Sequence, residues 1–295
     1  MAVVAVAGLA TMDFLFAVPA MPDRPEKYRA DAVEIVGGGG GANAAVAIAR
    51  LGGAPRFYTR LGDDAIGDMI LADLSGEGLA MGHTHRWPGA RSSCSSVLVD
   101  QAGERQIVNF RGDGLAPDPS WIDVATPFDA ALADTRWPEG ALALFAAARA
   151  RGAPAVLDAE APVPEDLARA ATHVAFSEQG LRDFTGIEAW EPALLSAAAR
   201  LPGWVAVTLG AEGIAWVTTG AIVRCPAFAV DVVDTLGAGD IWHGGFALAL
   251  AEGQTEPDAA RFANAAAALK CRALGGRKAA PSRAETDAFL KEQIQ

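Results

Sequence analysis

Short apolar runs alternate with alanine-rich stretches of helical period along most of this sequence. Runs such as VVAVAG (3–8), AVLDAE (155–160) and WVAVTLG (204–210) are separated by stretches such as ANAAVAIARLG (42–52). Because consecutive positions in these runs are apolar, both faces of each strand should be buried, as in parallel sheets covered by helices. The pattern therefore predicts an α/β fold, a three-layer α/β/α core with a mainly parallel sheet.

Two segments break this pattern. FLFAV (14–18) has a polar continuation to Asp31, and the alternating runs SCSSVLVD and ERQIVNF are joined by a short turn ending at Gly103. The second pair is typical of a β-hairpin. We expect a small β-sheet that lies as a lid over the carboxyl ends of the parallel strands. The predicted division is 13–31 and 90–112 for the lid, and 1–12, 32–89 and 113–295 for the core.

The formal net charge of −12 argues against nucleic acid as the main partner. A small molecule is the better expectation, and an anionic one would need a local cluster of Lys or Arg side chains. Cys94, Cys225 and Cys271 lie too far apart for CxxC spacing or a disulfide framework. The longest apolar stretches are too short for a membrane span, and the N-terminus lacks a basic region. We therefore expect a soluble, cytoplasmic protein with no membrane partner.

The most informative segment is DVVDTLGAGDIWHGGFALAL (231–250). A strand-like run ends at Asp234, small residues at 237–239 permit a tight turn, and Asp240 enters the first turn of an apolar helix. Backbone N–H groups and the helix dipole at such a turn favour a phosphoryl group. A carboxylate there can take a proton from an attacking alcohol, although Asp is also a common helix cap. His243 is expected to pack or cap one turn later.

The segment Asp234–Asp240 (DTLGAGD) resembles the DTxGAGD signature of the ribokinase-like carbohydrate kinases, the PfkB family. The second signature of that family, a glycine-rich turn opening a helix, is similar to Gly37–Gly41 followed by Ala42 and Asn43. Alone, this glycine run would be weak, because it also fits a plain loop and lacks the GK[ST] ending of a Walker loop. The resemblance extends over nearly the whole chain and implies a ribokinase-like fold.

The resemblance assigns roles at the acceptor. Asp240 would be the general base on the acceptor hydroxyl. The anion hole for the γ-phosphoryl group would be formed by the N–H groups of Gly237, Ala238 and Gly239. Gly38 and Gly39 would lie against the sugar, where Cβ atoms would collide with it. Asn43 and Asp13 would bind sugar hydroxyls, and for Asp13 a turn or cap role stays open.

The resemblance also implies an ATP site. Thr208, Gly210 and Gly213 match a TxGxxG turn that admits the nucleotide, and Asn264 matches an adenine-side asparagine. Glu178 would hold Mg²⁺ through water, although Ser177 and Gly180 depart from the family motif there. Asp234 would help to bind a monovalent cation such as K⁺, as in some relatives.

Within the family, the sequence resembles the sulfofructose kinases, which phosphorylate O1 of 6-deoxy-6-sulfofructose. The segments that carry this similarity include EKYRADAVEIVGGG, GERQIVNF, LADTRW and ALKCRALGGR. It implies that Lys27, Asn109 and Arg136 hold the sulfonate, whose permanent charge and three acceptor oxygens suit two cations and an amide. A phosphate would fit the same donors, so fructose 6-phosphate remains a competitor. The segment 111–114 departs from the pattern and is expected to alter the pocket rim.

These features together predict an ATP- and Mg²⁺-dependent kinase of an anionic ketose. Two alternatives stay open: a kinase of another sugar or of a nucleoside with the same fold, and a non-catalytic sugar-binding regulator. The exposed edges of the lid sheet, with the family resemblance, suggest a homodimer formed lid against lid.

Overall fold

The computed structural model describes residues 1–293. Its strands are β1 Val3–Ala7, β2 Thr11–Ala17, β3 Ala32–Gly38, β4 Ala54–Gly62, β5 Thr84–Trp87, β6 Ser93–Val99, β7 Arg105–Phe110, β8 Ala130–Ala133, β9 Ala155–Ala159, β10 His173–Ser177, β11 Trp204–Thr208, β12 Ile214–Thr218 and β13 Ala221–Cys225. Its α-helices are α1 Gly40–Arg50, α2 Ala65–Gly76, α3 Pro138–Arg151, α4 Glu165–Ala170, α5 Glu178–Thr185, α6 Trp190–Arg200, α7 Ala238–Ala251, α8 Glu256–Cys271 and α9 Arg283–Glu292. None of these helices is long and apolar enough to cross a bilayer.

The main sheet has nine strands in the order β13-β12-β11-β10-β9-β8-β1-β4-β5. All neighbouring pairs are parallel except β11 with β12 and β12 with β13, which form an antiparallel edge. Strand order reverses direction at β1, because the chain continues to β4 on one side and to β8 on the other. Such a reversal opens a crevice at the carboxyl ends of the strands.

Helices cover both faces of this sheet. On β1, Val4 and Val6 pack toward α1, α2, α7 and α8, while Ala5 and Ala7 pack toward α3 and the helices α4, α5 and α6. The alternation follows from the two-residue period of a strand. Apolar residues at every position of the strand therefore serve two separate cores, which confirms the predicted three-layer α/β/α arrangement.

A second sheet of four strands has the order β3-β2-β6-β7. β6 and β7 form the predicted antiparallel hairpin, with Ser95 opposite Asn109. β3 belongs to this small sheet (residues 11–17, 32–38, 93–99 and 105–110), although the sequence places 32–38 in the core. The reason is that β3 pairs antiparallel with β2 along its full length, from Thr11 opposite Gly38 to Ala17 opposite Ala32.

Helix α5 packs unusually closely on β9. A Cβ atom at Gly180 would overlap the carbonyl oxygen of Ala159. Glycine at this position, where the sequence departs from the family motif, permits this close packing. The close contact fixes the start of α5 beside the carboxyl end of β9.

We expect Gly180→Ala to lower the free energy of unfolding by about 1–3 kcal/mol, because the added methyl group forces backbone atoms apart. Chemical denaturation of the purified protein measures this change. Gly76→Ala in α2 is the matched control, since a Cβ there would meet no atom of residues 1–293 within 4 Å. Equal stability of the two variants would contradict the packing argument.

Candidate active site

A cleft of about 530 Å³ lies between the small sheet and the carboxyl edge of the main sheet. Thr11, Asp13, Ser95 and Asn109 line it from the small sheet, and residues at or just beyond the ends of β1, β8, β9, β10 and β11 line it from the main sheet. The sequence-predicted residues that line it are Asp13, Gly39, Asn109, Arg136, Thr208, Gly237, Gly239 and Asp240. The two signatures therefore meet here, although their residues Asn43 and Asp240 are 197 positions apart in the chain.

Asp240 lies in the first turn of α7, directly after the small-residue turn. Gly237 is the N-cap of this helix and has a φ of 77°, a conformation that favours glycine. The amide Nδ2 of Asn43, from the first turn of α1, donates a hydrogen bond to Oδ2 of Asp240 at 2.6 Å. Burial and the neighbouring Asp158 carboxylate raise the pKa of Asp240 to about 7, against the opposing effect of Asn43. Such a carboxylate exchanges protons near neutral pH.

The turn before Asp240 provides backbone donors. The first N–H groups of α7 have no acceptor within the helix, and the helix dipole adds positive potential there. Gly237 and Gly239 line the cleft, but the N–H of Ala238 donates to the carbonyl of Thr235 at 3.1 Å. The N–H of Ala238, which the sequence analysis assigned to the anion hole, therefore already donates a hydrogen bond within the turn.

Two buried oxygens in this region have no protein donor among residues 1–293. They are Oδ1 of Asp13 and Oδ1 of Asn43. Burial raises the pKa of Asp13, with Ser95 and Arg277 acting in the opposite direction. An unpaired buried acceptor is unfavourable, so both oxygens suit a ligand that brings hydroxyl donors.

Glycines of the 37–41 run allow neighbouring protein groups to approach the backbone closely. A Cβ at Gly38 would overlap the Asp13 carboxylate, and Gly39 has a φ of 96° and lies against the carbonyl of Leu9. The predicted reason for these glycines was contact with a sugar, whereas the structure shows contacts with protein atoms. Only Gly39 and Gly40 of the run line the cleft.

Carboxylates that the sequence analysis did not select also line the cleft. They are Asp134, Asp158 and Glu160, which lie at or just after the ends of the apolar runs of β8 and β9. Their position at the ends of predicted parallel strands could have identified them from the sequence. Burial raises the pKa of both Asp134 and Asp158. His243 is buried with Nδ1 at 2.8 Å from the carbonyl of Gly239, and burial lowers its pKa. This histidine packs as expected.

The predicted nucleotide residues separate into two groups. Thr208 lines the cleft at the end of β11. Gly210 and Gly213 shape the following turn, where a Cβ at Gly213 would overlap the carbonyl of Cys225. Asn264 differs from expectation: it is buried, accepts from Nε1 of Trp242 at 2.8 Å and donates to the carbonyl of Pro226 at 3.0 Å. Both polar atoms of its side chain are therefore engaged by protein groups.

Glu178 is the first residue of α5 and is exposed, outside the residues that line the cleft. The side chain of Ser177 accepts from the N–H of Gly180 at 2.9 Å and caps the helix. No cluster of three or more metal-binding side chains occurs among residues 1–293. Mg²⁺ commonly binds through one or two carboxylates and substrate phosphates, and Asp158 and Glu160 are the cleft carboxylates that fit this need better than Glu178.

Asp234 is not available as a metal ligand. The ammonium of Lys270 lies 2.8 Å from its Oδ2 and 2.8 Å from its carbonyl oxygen. Burial raises the pKa of Asp234, but Lys270 and the N–H of Leu236 outweigh this effect and leave the pKa lowered. The residues present therefore do not fit the predicted K⁺ site.

Of the three predicted sulfonate residues, Asn109 and Arg136 lie in the cleft and Lys27 does not. Lys27 is exposed in the segment between β2 and β3. Nδ2 of Asn109 donates to Oγ of Ser95 at 3.0 Å, and Arg136 contacts Glu160 at 3.0 Å. Arg111, which the sequence analysis treated as a departure at the rim, follows the hairpin strand directly and also lines the cleft.

A side cavity of about 110 Å³ shares Leu9, Arg111 and Arg136 with the cleft. Arg60 is the third arginine that lines it, and none of its lining residues is acidic. The guanidinium of Arg60 lies over the ring of Trp137 at 5.0 Å and donates to the carbonyl of Arg136 at 3.3 Å. We call this space the arginine cavity.

The sequence of this chain matches a known protein family. The pattern of the pfkB family carbohydrate kinases matches residues 1–283. The chain belongs to this family. A ribokinase of Haemophilus influenzae is 30% identical across 97% of this chain and 97% of its own length, and a Bacillus subtilis ribokinase is 28% identical across 97% and 99%.

Solved structures of this family show the same fold. A putative ribokinase from Agrobacterium tumefaciens superposes with a TM-score of 0.90 at 40% identity, covering 100% of this chain and 99% of its own. Arabidopsis thaliana ribokinase, solved with ribose and ATP, gives 0.87 at 26% identity over 99% of both chains. The named relatives are ribokinases, so these comparisons support an ATP-dependent carbohydrate kinase and do not extend to sulfofructose.

Burial of Asp240 should make the stability of this kinase depend on pH. The folded pKa of about 7 exceeds the ordinary 3.8, so the folded state binds the proton more tightly and stability falls as pH rises between these values. We expect Asp240→Asn to raise Tm at pH 8 and to raise it less at pH 5. Thermal unfolding at both pH values measures this, with Asp166→Asn on the exposed face of α4 as control. A shift that is equal at the two pH values would contradict the assignment.

Proposed function

We propose that this kinase transfers the γ-phosphoryl group of ATP to O1 of 6-deoxy-6-sulfofructose. The observation that carries the proposal is the arginine cavity, which adjoins the cleft of Asp240 and whose lining residues include three arginines and no carboxylate. In a chain of net charge −12, such a cavity is a local exception that favours an anionic group.

Asp240 is placed to act as the general base in this reaction. With a pKa near 7 it takes the proton of the acceptor hydroxyl as the oxygen attacks phosphorus. Asn43 orients the carboxylate through its 2.6 Å hydrogen bond, and the unpaired oxygen of Asp13 accepts from another sugar hydroxyl. A base and acceptor held in this way lower the entropic part of the barrier.

The N-terminal turn of α7 would bind the transferring group. Gly237 and Gly239 line the cleft, and their N–H groups would act as fixed dipoles that stabilise negative charge on the phosphoryl oxygens. Mg²⁺ bound to the ATP phosphates would neutralise further charge, with Asp158 and Glu160 as the residues to hold it. The small sheet would act as a lid that excludes water from ATP.

The arginine cavity suits a sulfonate in charge and in geometry. Arg111 and Arg136 are shared with the cleft, and Asn109 lies at the end of the adjoining hairpin strand. Burial lowers the pKa of Arg60, but a guanidinium still keeps its proton at neutral pH. Charged donors of this kind form strong hydrogen bonds to anionic oxygens. In this proposal Arg111 takes the role that the sequence assigned to Lys27.

Ribose is the second candidate acceptor. It is favoured by the names of the relatives, and by the Arabidopsis thaliana ribokinase complex with ribose and ATP. The unpaired buried oxygens of Asp13 and Asn43 would accept hydroxyl groups of ribose as well as those of a ketose. With ribose, Arg136 would keep Glu160 as its anionic partner, while Arg60 and Arg111 would gain none from the substrate, and this difference separates the two candidates.

We also propose a cytoplasmic homodimer. Val33, Ile35, Ile107 and Val108 are exposed on the two edge strands of the small sheet, and such apolar edges favour pairing with a second copy. The three cysteines are free, which supports a reducing compartment.

Loss of the base should slow turnover and spare ATP binding. We expect Asp240→Asn to lower kcat by about 10²-fold or more, because an amide cannot accept the proton. Steady-state kinetics measures kcat, calorimetry measures ATP binding, and Asp166→Asn is again the control. Turnover at the wild-type rate would rule out Asp240 as the base.

The acceptor is tested by ATP consumption on 6-deoxy-6-sulfofructose, fructose 6-phosphate, fructose and ribose. We expect preference for the sulfonate. Arg111→Ala and Arg136→Ala should each lower kcat/KM for the sulfonate by about 10-fold or more and change kcat/KM for ribose little, because an unpaired anion is costly to bury.

Arg182→Ala, an exposed arginine on α5, is the control for these two variants. Preference for ribose with no effect of the arginine variants would leave a kinase of this family and remove the sulfonate proposal.

A further inference from the structure

Lys270 is a fully buried lysine near the C-terminal end of α8. Its side chain is 0% exposed, and Nζ donates to both Oδ2 and the main-chain carbonyl oxygen of Asp234 at 2.8 Å. Lysine is almost never fully buried unless it is paired, because removal of the ammonium from water is strongly unfavourable. A lysine kept in this position therefore needs a specific reason.

The contacts of Lys270 lie at the base of the turn that leads to the phosphoryl site. The N–H groups of Val233 and Asp234 donate to the carbonyl of Cys271 at 2.8 and 3.1 Å. The N–H of Leu236 donates to Oδ1 of Asp234 at 2.9 Å. The end of α8 thus holds the segment 233–236, and Gly237 and α7 follow directly.

Every oxygen of Asp234 is already engaged. Oδ2 and the carbonyl oxygen bind Lys270, while Oδ1 accepts from Leu236 and lies 3.4 Å from Nη2 of Arg105. A metal ion bound to these oxygens would also lie close to a buried ammonium, where repulsion between like charges is strong. The site therefore has neither a free ligand nor a favourable potential for a second cation.

We infer that the ammonium of Lys270 is a built-in replacement for a monovalent metal ion at Asp234, so that this kinase works without K⁺. Lys270 is then a positioning residue: it holds the carboxylate and carbonyl of Asp234, and through them the turn that presents Gly237 and Gly239. The measurement of turnover rests on the proposed kinase function. Cation binding does not depend on that function, so the effect of each salt on Tm tests it separately.

The first experiment uses the wild-type protein. Tm and ATP-dependent turnover are measured in KCl, NaCl and tetramethylammonium chloride at equal ionic strength, because surface electrostatics depend on salt. We expect the same Tm and the same turnover in all three salts. Activation by K⁺ of about fivefold or more, or a K⁺-specific rise in Tm, would overturn the inference. Absence of turnover on every sugar would count against the function, while the Tm comparison would still test the cation site.

The second experiment opens the site. Lys270→Ala should lower Tm by about 5 °C or more, because it leaves the buried carboxylate of Asp234 unpaired. K⁺ or methylammonium should then raise Tm and restore part of the turnover, whereas Lys291→Ala, an exposed lysine on α9, should show neither effect.

Two outcomes would contradict the inference. One is a folded Lys270→Ala protein with wild-type Tm and turnover in every salt. The other is a loss of Tm and turnover that neither K⁺ nor methylammonium reverses. If the variant does not fold, the salt comparison on the wild-type protein still decides whether a metal ion is needed.

Discussion

The partly buried hydrogen bond between Asn43 and Asp240 connects the two halves of the site. Asn43 comes from the first turn of α1 and Asp240 from the first turn of α7. Nδ2 of Asn43 lies 2.6 Å from Oδ2 of Asp240. Burial raises the pKa of Asp240 to about 7, so the carboxylate can gain or lose a proton near neutral pH. Displacement of either helix would change both the position and the proton affinity of this group, so the packing of α1 on α7 is a requirement of the chemistry.

Acidic side chains line the cleft around Asp240, whereas the charged residues that line the adjoining arginine cavity are all arginines. Asp134, Asp158 and Asp240 lie where burial raises their pKa values, so the free energy of keeping all of them ionised is high. The arginine cavity lies beside them and has no acidic lining residue. This distribution of charge favours a ligand whose part near Asp240 is neutral or metal-bound and whose far end, in the arginine cavity, is anionic.

Sequence reasoning found the parts of the site that lie in contiguous motifs. DTLGAGD places Asp240 and its turn together, and the glycine run places Asn43 on α1, because each motif is a local turn followed by a helix. The surroundings of residues outside these motifs depend on distant contacts and were not predicted. Asn264 is engaged by Trp242 and Pro226, and Lys27 lies outside the cleft. The sequence did not indicate that Arg60 and Arg111 line one cavity, because one lies on β4 and the other follows β7.

The sequence by itself determined the α/β architecture and the placement of Asp240, the proposed base, in the first turn of a helix, because periodicity and short-range turn geometry are local properties of the chain. It also fixed the hairpin of the small sheet. Only the tertiary structure decided that residues 32–38 join that sheet, since pairing with β2 is a long-range contact. It likewise decided that Lys270 occupies the oxygens of Asp234, because the side chain of a residue 36 positions away is placed there by the packing of α8 on α7.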